Sequence, residues 1–351
     1  MQASGELVKD GIIVKKPRDV GRLYTRNHFG ETISGNKLRL DLIEGVFLLD
    51  EKKIRVRKNG EEINFEELVK ISAEHIPYFE IKYLIFRDLR KRGNIVKLCD
   101  DKDGFDFCVY KQKNEKDTME MCFLKAFSER DFFDIDETKK LVDTIIKKDD
   151  KLWYGIVDEE GDITYYDVTS LDIKGSVCEN VFGEVDGFLT GSRVLIFEKT
   201  DDLFNKGFYG KPFGSGLQLS MIEALYLLEK KVVNIKDLKD GKKFSKKEFL
   251  SIVKRNQSDI DDLILVFRDL KKRGLIVKTG FKFGTHFRVY TDKPDMTHAE
   301  YLVHVVEQGF KSMWAEISRG VRLAHSVNKE IIFARIDNDE IDYIKLGRLK
   351  P

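Results

Sequence analysis

Short runs of alternating or continuous apolar residues are separated along this chain by segments in which apolar positions recur every three or four residues. DGIIV (10–14) and RVLIF (193–197) have the pattern of strands, while Met221, Leu225 and Leu228 share one face of a helix. FSKKEFL opens a charged helix after a serine, Ser245, of the type that caps a helix N-terminus. A helix runs through FRDLKKRG and stops at Gly274 after a Lys/Arg-rich last turn. Strands LIVK, HFRVY and YLVHVV follow, then a helix through SMWAEISRGVRLAHSV, then strands EIIFARI and IDYIKL. Strands this close together, with few helices between them, predict a mixed α+β layer rather than a doubly wound parallel sheet.

The whole pattern occurs twice. LIFRDLRKRGNIVK (84–97) and LVFRDLKKRGLIVK (265–278) are identical at 11 of 14 positions, 181 residues apart. LRLDLIEGVFLL (38–49) matches LQLSMIEALYLL (217–228) at 179, and GFDFCVY (104–110) matches GTHFRVY (284–290) at 180. So steady an offset marks a tandem duplication. Each copy is expected to hold an N-terminal mixed α/β subdomain and a C-terminal α/β subdomain with a central mixed sheet. The expected boundaries are 1–80 and 81–175 in the first copy, 176–260 (linker included) and 261–351 in the second.

The 351 residues carry 62 basic and 61 acidic side chains, for a net charge of +1. That balance excludes a uniformly basic nucleic-acid tail, so any RNA or DNA site must be a local patch. Five prolines and a mean hydropathy of −0.36 argue against disordered and fibrous classes. No run approaches the ~20 apolar residues of a membrane span, so no membrane partner is expected. Cys99, Cys108, Cys122 and Cys178 form no CxxC pair. They are expected to be reduced thiols in a cytoplasmic protein.

A duplication permits an internal comparison, and the copies differ where chemistry could reside. The second has Tyr290, His298 and Lys329 where the first has Tyr110, Met119 and Asp150. A Tyr, a His and a Lys converging on one phosphate could supply a general base, a general acid and a fixed charge for a developing oxyanion. The first copy, lacking two of the three, could not. Charge differs as well: residues 268–290 hold seven Lys/Arg and one acid, whereas 87–110 hold six and five. Asp100, Asp101, Asp103 and Asp106 lie together in CDDKDGFDF and could dock electrostatically on a basic surface of a second chain.

RDLKKRGLIVKTGFKFGTHFRVY, HAEYLVHVV and SRGVRLAHSVNKEIIFARID resemble the catalytic domain of archaeal tRNA-splicing endonucleases, and GLQLSMIEALYLL resembles their N-terminal domain. The resemblance implies a nuclease-like catalytic fold with Tyr290, His298 and Lys329 as the triad. Tyr290 would be the base, His298 the acid and Lys329 the stabilising charge. It implies cleavage of precursor tRNA at a bulge–helix–bulge, without metal or cofactor, by attack of a ribose 2′-hydroxyl that leaves a 2′,3′-cyclic phosphate and a 5′-hydroxyl. It further implies Arg322 and Arg348 as a pair gripping a bulge base, and a homodimer of duplicated chains. Two rivals are a metal-dependent nuclease of similar fold and a non-catalytic RNA-binding or assembly protein. The first would need clustered carboxylates, for which residues 284–306 offer Asp292, Asp295 and Glu300.

Overall fold

The computed structural model describes residues 2–99, 104–112, 119–146, 150–177, 182–293 and 298–351. They form two compact units. The first contains residues 1–169 with 311–319 and 346–351; the second contains 170–310 and 320–345.

Each unit opens with a sheet covered by capped helices. In the first, six strands run in the order Glu31–Ile33, Lys37–Leu40, Gly11–Val14, Ala3–Val8, Ile54–Lys58, Glu61–Ile63. In the second, five run Lys211–Phe213, Gly216–Leu219, Arg193–Ile196, Val185–Thr190, Val233–Asp237. The helices Leu42–Asp50, Phe65–His75, Met221–Glu229 and Lys246–Asn256 all begin with a reciprocal capping box. The cap residue varies (Asp41, Asn64, Ser220, Ser245), while the third helical residue is always glutamate. Each pair satisfies two backbone N–H groups that the first helical turn leaves open.

Two of these glutamates also fasten the first part of a unit to its second. Glu223 accepts from the N–H groups of Ser220 and Gly210 at 3.0 Å and pairs with Lys278 at 3.1 Å. Burial opposes its ionisation, but the Lys278 ammonium and the hydrogen bonds prevail and hold its pKa below the ordinary carboxylate value. Glu44 repeats the arrangement with Gly30 N–H at 2.9 Å and Lys97 at 3.0 Å.

The second part of each unit is a mixed sheet. In the second unit the order is Ile276–Thr279, Phe287–Tyr290, Tyr301–Glu307, Glu330–Asp337 and Glu340–Leu349, the last belonging to this unit as far as Lys345. The first three strands are antiparallel, and Tyr301–Glu307 runs parallel to Glu330–Asp337. Phe287, Val289, Val303, Val305, Ile332 and Ala334 point to one face and join a core with Leu263, Phe267 and Leu270 of the helix Ile260–Lys272. The first unit repeats the order with Ile95–Leu98, Phe107–Gln112, Met119–Ser128, Lys151–Val157 and Ile163–Ser170. Gly274 follows its helix with φ of 78° and is a glycine because that left-handed turn suits no side chain.

Three expectations need correction. Cys99 and Cys108 are not both free thiols: they form a disulfide with Cα atoms 5.6 Å apart. Lys97 pairs with Cys108 and Leu98 with Phe107, and Cys99 N–H donates to Asp106 C=O, so the hairpin brings together two cysteines that sequence spacing leaves apart. Cys122 is a free, buried thiol, its pKa pushed up to about 12 by burial, and Cys178 lies outside the described residues. Second, Lys311–Met313 is a strand paired with Phe132–Asp134, and the helix begins only at Trp314. Trp314 is fully buried among Phe127, Phe133, Tyr154 and Tyr166 of the first unit. Third, residues 171–177, expected to be shared between the first copy's second subdomain and the linker, belong to the second unit. There Leu171, Gly175, Ser176 and Val177 donate backbone bonds to Tyr343, Arg273, Thr291 and Gly274.

Candidate active site

Strand register brings two of the three candidate catalytic residues, Tyr290 and Lys329, to one end of the second unit's sheet, and His298 lies on the segment that leads into it. Val289 pairs with Tyr301, and Tyr301 with Glu330. The ladder extends one step, because Glu300 N–H donates to Val289 C=O at 3.1 Å and Glu330 N–H to Glu300 C=O at 2.9 Å. Tyr290, Glu300 and Lys329 therefore occupy one row across three adjacent strands. Alternation puts Tyr290 on the face opposite Val289, away from the buried core. His298 stands two residues before Glu300, exposed at the same end of the sheet.

The local sequence explains how Lys329 is placed. The helix Trp314–Ser326 ends as a Schellman motif: Lys329 N–H donates to Ala324 C=O at 2.9 Å, and Asn328 N–H to His325 C=O at 3.1 Å. Asn328 takes the left-handed conformation, φ 53°, which asparagine accepts more readily than most residues. The motif delivers Lys329 directly into the strand that follows. Its ammonium donates to Val327 C=O at 3.3 Å and lies 5.7 Å from the centre of the Phe283 ring. The Tyr290 strand is anchored as well, since Thr291 C=O accepts from Ser176 N–H at 2.9 Å. Sequence reasoning missed Asn328, Phe283 and Ser176. Only the Asn after a helix's last turn was there to be read.

The first unit has the same frame with different side chains at two of the three positions. Tyr110 pairs with Met121, Cys122 pairs with Lys151, and Asp150 N–H donates to Ile145 C=O at 3.4 Å, the counterpart of the Lys329–Ala324 bond. The register thus sets Asp150 where Lys329 stands and Met119 where His298 stands. Asp143, at the position of Arg322, is tied to Lys139 by two bonds of 2.8 and 2.6 Å.

Arg322 is exposed in the second unit and, among the described residues, makes no ion pair. Arg348 is also exposed, but it belongs with 346–351 to the first unit. Of the acidic loop, Asp100, Asp101 and Asp103 lie outside the described residues. Asp106 is not a free docking group, because its carboxylate pairs with Lys82 at 2.9 Å and accepts from Ala126 N–H at 2.8 Å. The basic count around Tyr290 also thins. Arg268 is bound by Glu229, Arg273 by Asp269 and Asp172, and Lys278 by Glu223. Among the described residues no group of three or more His, Cys, Asp or Glu side chains is placed to hold a metal ion, and Asp295 lies outside them. No helix among them is long and apolar enough to cross a membrane.

Three of the remaining histidines, all in the second unit, have structural surroundings. The rings of His286 and His304 stack with centres 4.7 Å apart, and His286 Nδ1 accepts from Val305 N–H at 2.9 Å. Burial, with His286 alongside, lowers the His304 pKa to about 4. His325 is exposed, and its carbonyl serves the Schellman motif.

Comparison with known proteins gives a consistent result. Residues 3–69 and 185–250 match the family described as tRNA intron endonuclease, N-terminal domain. Residues 79–165 and 260–343 match tRNA intron endonuclease, catalytic C-terminal domain. The chain is 35% identical over 357 residues to a tRNA-splicing endonuclease of Methanococcoides burtonii, covering 98% of this chain and 99% of that protein. It is 32% identical to one of Methanosarcina barkeri with the same coverage, and 29% identical to one of Halobacterium salinarum over 94% of this chain and 95% of the relative.

Proposed function

Since this chain belongs to the tRNA intron endonuclease family, each of its copies holding both of the family's domains, we propose that its second copy cuts precursor tRNA at the bulge–helix–bulge that marks an intron's ends. The observation that carries this reading is the row of Tyr290 and Lys329 beside His298, with Met119 and Asp150 in the corresponding places of the first copy. An RNA strand can cleave itself when the ribose 2′-oxygen attacks the adjacent phosphorus and the bond from phosphorus to the 5′-oxygen breaks. Tyr290 takes the 2′-hydroxyl proton, His298 gives a proton to the departing 5′-oxygen, and Lys329 faces the charge that builds on the phosphoryl oxygens. The products are a 2′,3′-cyclic phosphate and a 5′-hydroxyl. These residues meet every proton and charge demand of the reaction, so it proceeds without a metal.

An intron has two ends, whereas one chain has one complete triad. Two chains acting together supply two sites, which supports a homodimer. Asp100, Asp101 and Asp103 are the acidic groups left for docking between chains. Arg322, exposed on the helix that ends at Ser326, is poised to grip an unpaired base by cation–π stacking, with Arg348 as its proposed counterpart. The test compares an intron-containing transcript carrying the two bulges with one in which complementary bases close them. Cleavage should occur at two positions in the first and fall by at least about tenfold in the second, since stacking on a bulged base contributes roughly 1–3 kcal/mol. Equal cleavage of both would refute recognition of the bulge.

A further inference from the structure

The turn joining the strands Ile276–Thr279 and Phe287–Tyr290 carries two phenylalanines that the triad does not use. Phe281 is 86% exposed, the most exposed of the large hydrophobic side chains in the described structure. Such a ring in water normally costs free energy. The turn is well fixed. Phe283 N–H donates to Gly280 C=O at 2.8 Å, Gly280 N–H to His286 C=O at 3.0 Å and Phe281 N–H to Thr279 Oγ1 at 3.3 Å. Gly280 admits no side chain, because a Cβ there would lie 2.4 Å from Thr285 Oγ1, and Gly284 is left-handed with φ 68°. The other aromatic, Phe283, lies 5.7 Å from Lys329 Nζ, which ties the turn to the active site. Lys282, between them, is exposed.

We propose that Phe281 is a stacking platform for an unpaired RNA base next to the scissile phosphate, with Lys282 drawing in the neighbouring backbone phosphate. The proposal rests on the endonuclease reading and adds a contact outside the triad and the arginine pair. An exposed aromatic ring flanked by a cation is the arrangement that holds single-stranded bases without reading their identity. The duplication supplies an independent argument. The five residues GFKFG of the second copy correspond to the six residues CDDKDG of the first, so this segment carries two phenylalanines in one copy and three aspartates in the other. Aromatic rings are present in the copy with the triad. In the copy without it the corresponding segment carries carboxylates, which would repel a phosphate backbone.

The experiment uses the full chain and a precursor tRNA transcript with the two bulges. Filter binding and single-turnover cleavage are measured for Phe281→Ala, Phe281→Leu and Phe281→Tyr, with sedimentation as a check on assembly. Phe281→Ala and Phe281→Leu should each weaken RNA binding by about tenfold or more, from the lower part of the range for losing one stacked base upward. Phe281→Tyr, which keeps the ring, should remain within about twofold of the parent. Thermal unfolding should not shift, because the side chain has no core to leave. A 2-aminopurine placed in the bulge should be quenched by the parent and not by Phe281→Ala. Binding of parental strength by Phe281→Ala, or by Phe281→Leu, overturns the platform. So does a failure of Phe281→Tyr to rescue, or a loss of assembly that would make the ring a contact between chains. If the parent itself does not cut the transcript, the endonuclease reading falls, and filter binding still judges the platform.

Discussion

Lys329 and Asp150 follow their helices through corresponding backbone bonds and carry opposite charge, and on the proposed mechanism that single difference separates a copy that can stabilise a phosphorane from one that cannot. His298 and Met119 make the same point for proton transfer. His298→Ala and Lys329→Ala should each lower single-turnover cleavage by about 10²-fold or more, the usual scale for losing an acid or a preorganised charge. RNA affinity should change little, because neither residue supplies most of the contact surface. A variant that cleaves near the parental rate would remove that residue from the mechanism. The candidate triad could be picked out in the sequence because duplication set each residue beside a differing or matching counterpart. Charges were less legible. Arg268, Arg273 and Lys278 count as basic in the sequence but are answered by Glu229, Asp172, Asp269 and Glu223, some up to a hundred residues away. Likewise Asp106 is spent on Lys82 and Ala126.

A helix terminus positions Lys329. A capping box was legible wherever Ser stood three residues before Glu, as at Ser245, since that pairing is local. The Schellman motif at Asn328 is also local, and it sets where the chain carrying Lys329 enters its strand. Asn328→Val would force a β-branched residue to φ 53°, at a cost of about 1–2 kcal/mol. It should lower thermal stability and slow cleavage by displacing Lys329, whereas Asn328→Gly should retain both. Equal rates for the two variants would show that the cap does not position the lysine. The strand Lys311–Met313 and the Cys99–Cys108 bridge were not legible, because each depends on a partner that only the folded chain supplies. Trp314 looked like one apolar position of a helix. Its surroundings are four aromatic residues more than 140 positions earlier in the chain.

For the whole molecule, duplication with divergence is the organising fact. Both copies keep the capped helices, the buried glutamate–lysine fastening and the mixed sheet, because those features fold the unit. The copies part at the strand ends, where substitutions cost little stability and alter chemistry directly. The fold class could therefore be read from hydrophobic spacing and the twofold repeat from residue identities at a steady offset, while membership of 311–319 and 346–351 in the first unit could not. The central claim is that this chain's own side chains, with no metal, transfer the protons and balance the charge of cleavage. End-group analysis of RNA cut under single-turnover conditions in excess EDTA tests it most directly. The account predicts an undiminished rate and fragments ending in 2′,3′-cyclic phosphate and 5′-hydroxyl. Cleavage abolished by EDTA and restored by magnesium, or fragments ending in a free 3′-hydroxyl, would contradict it.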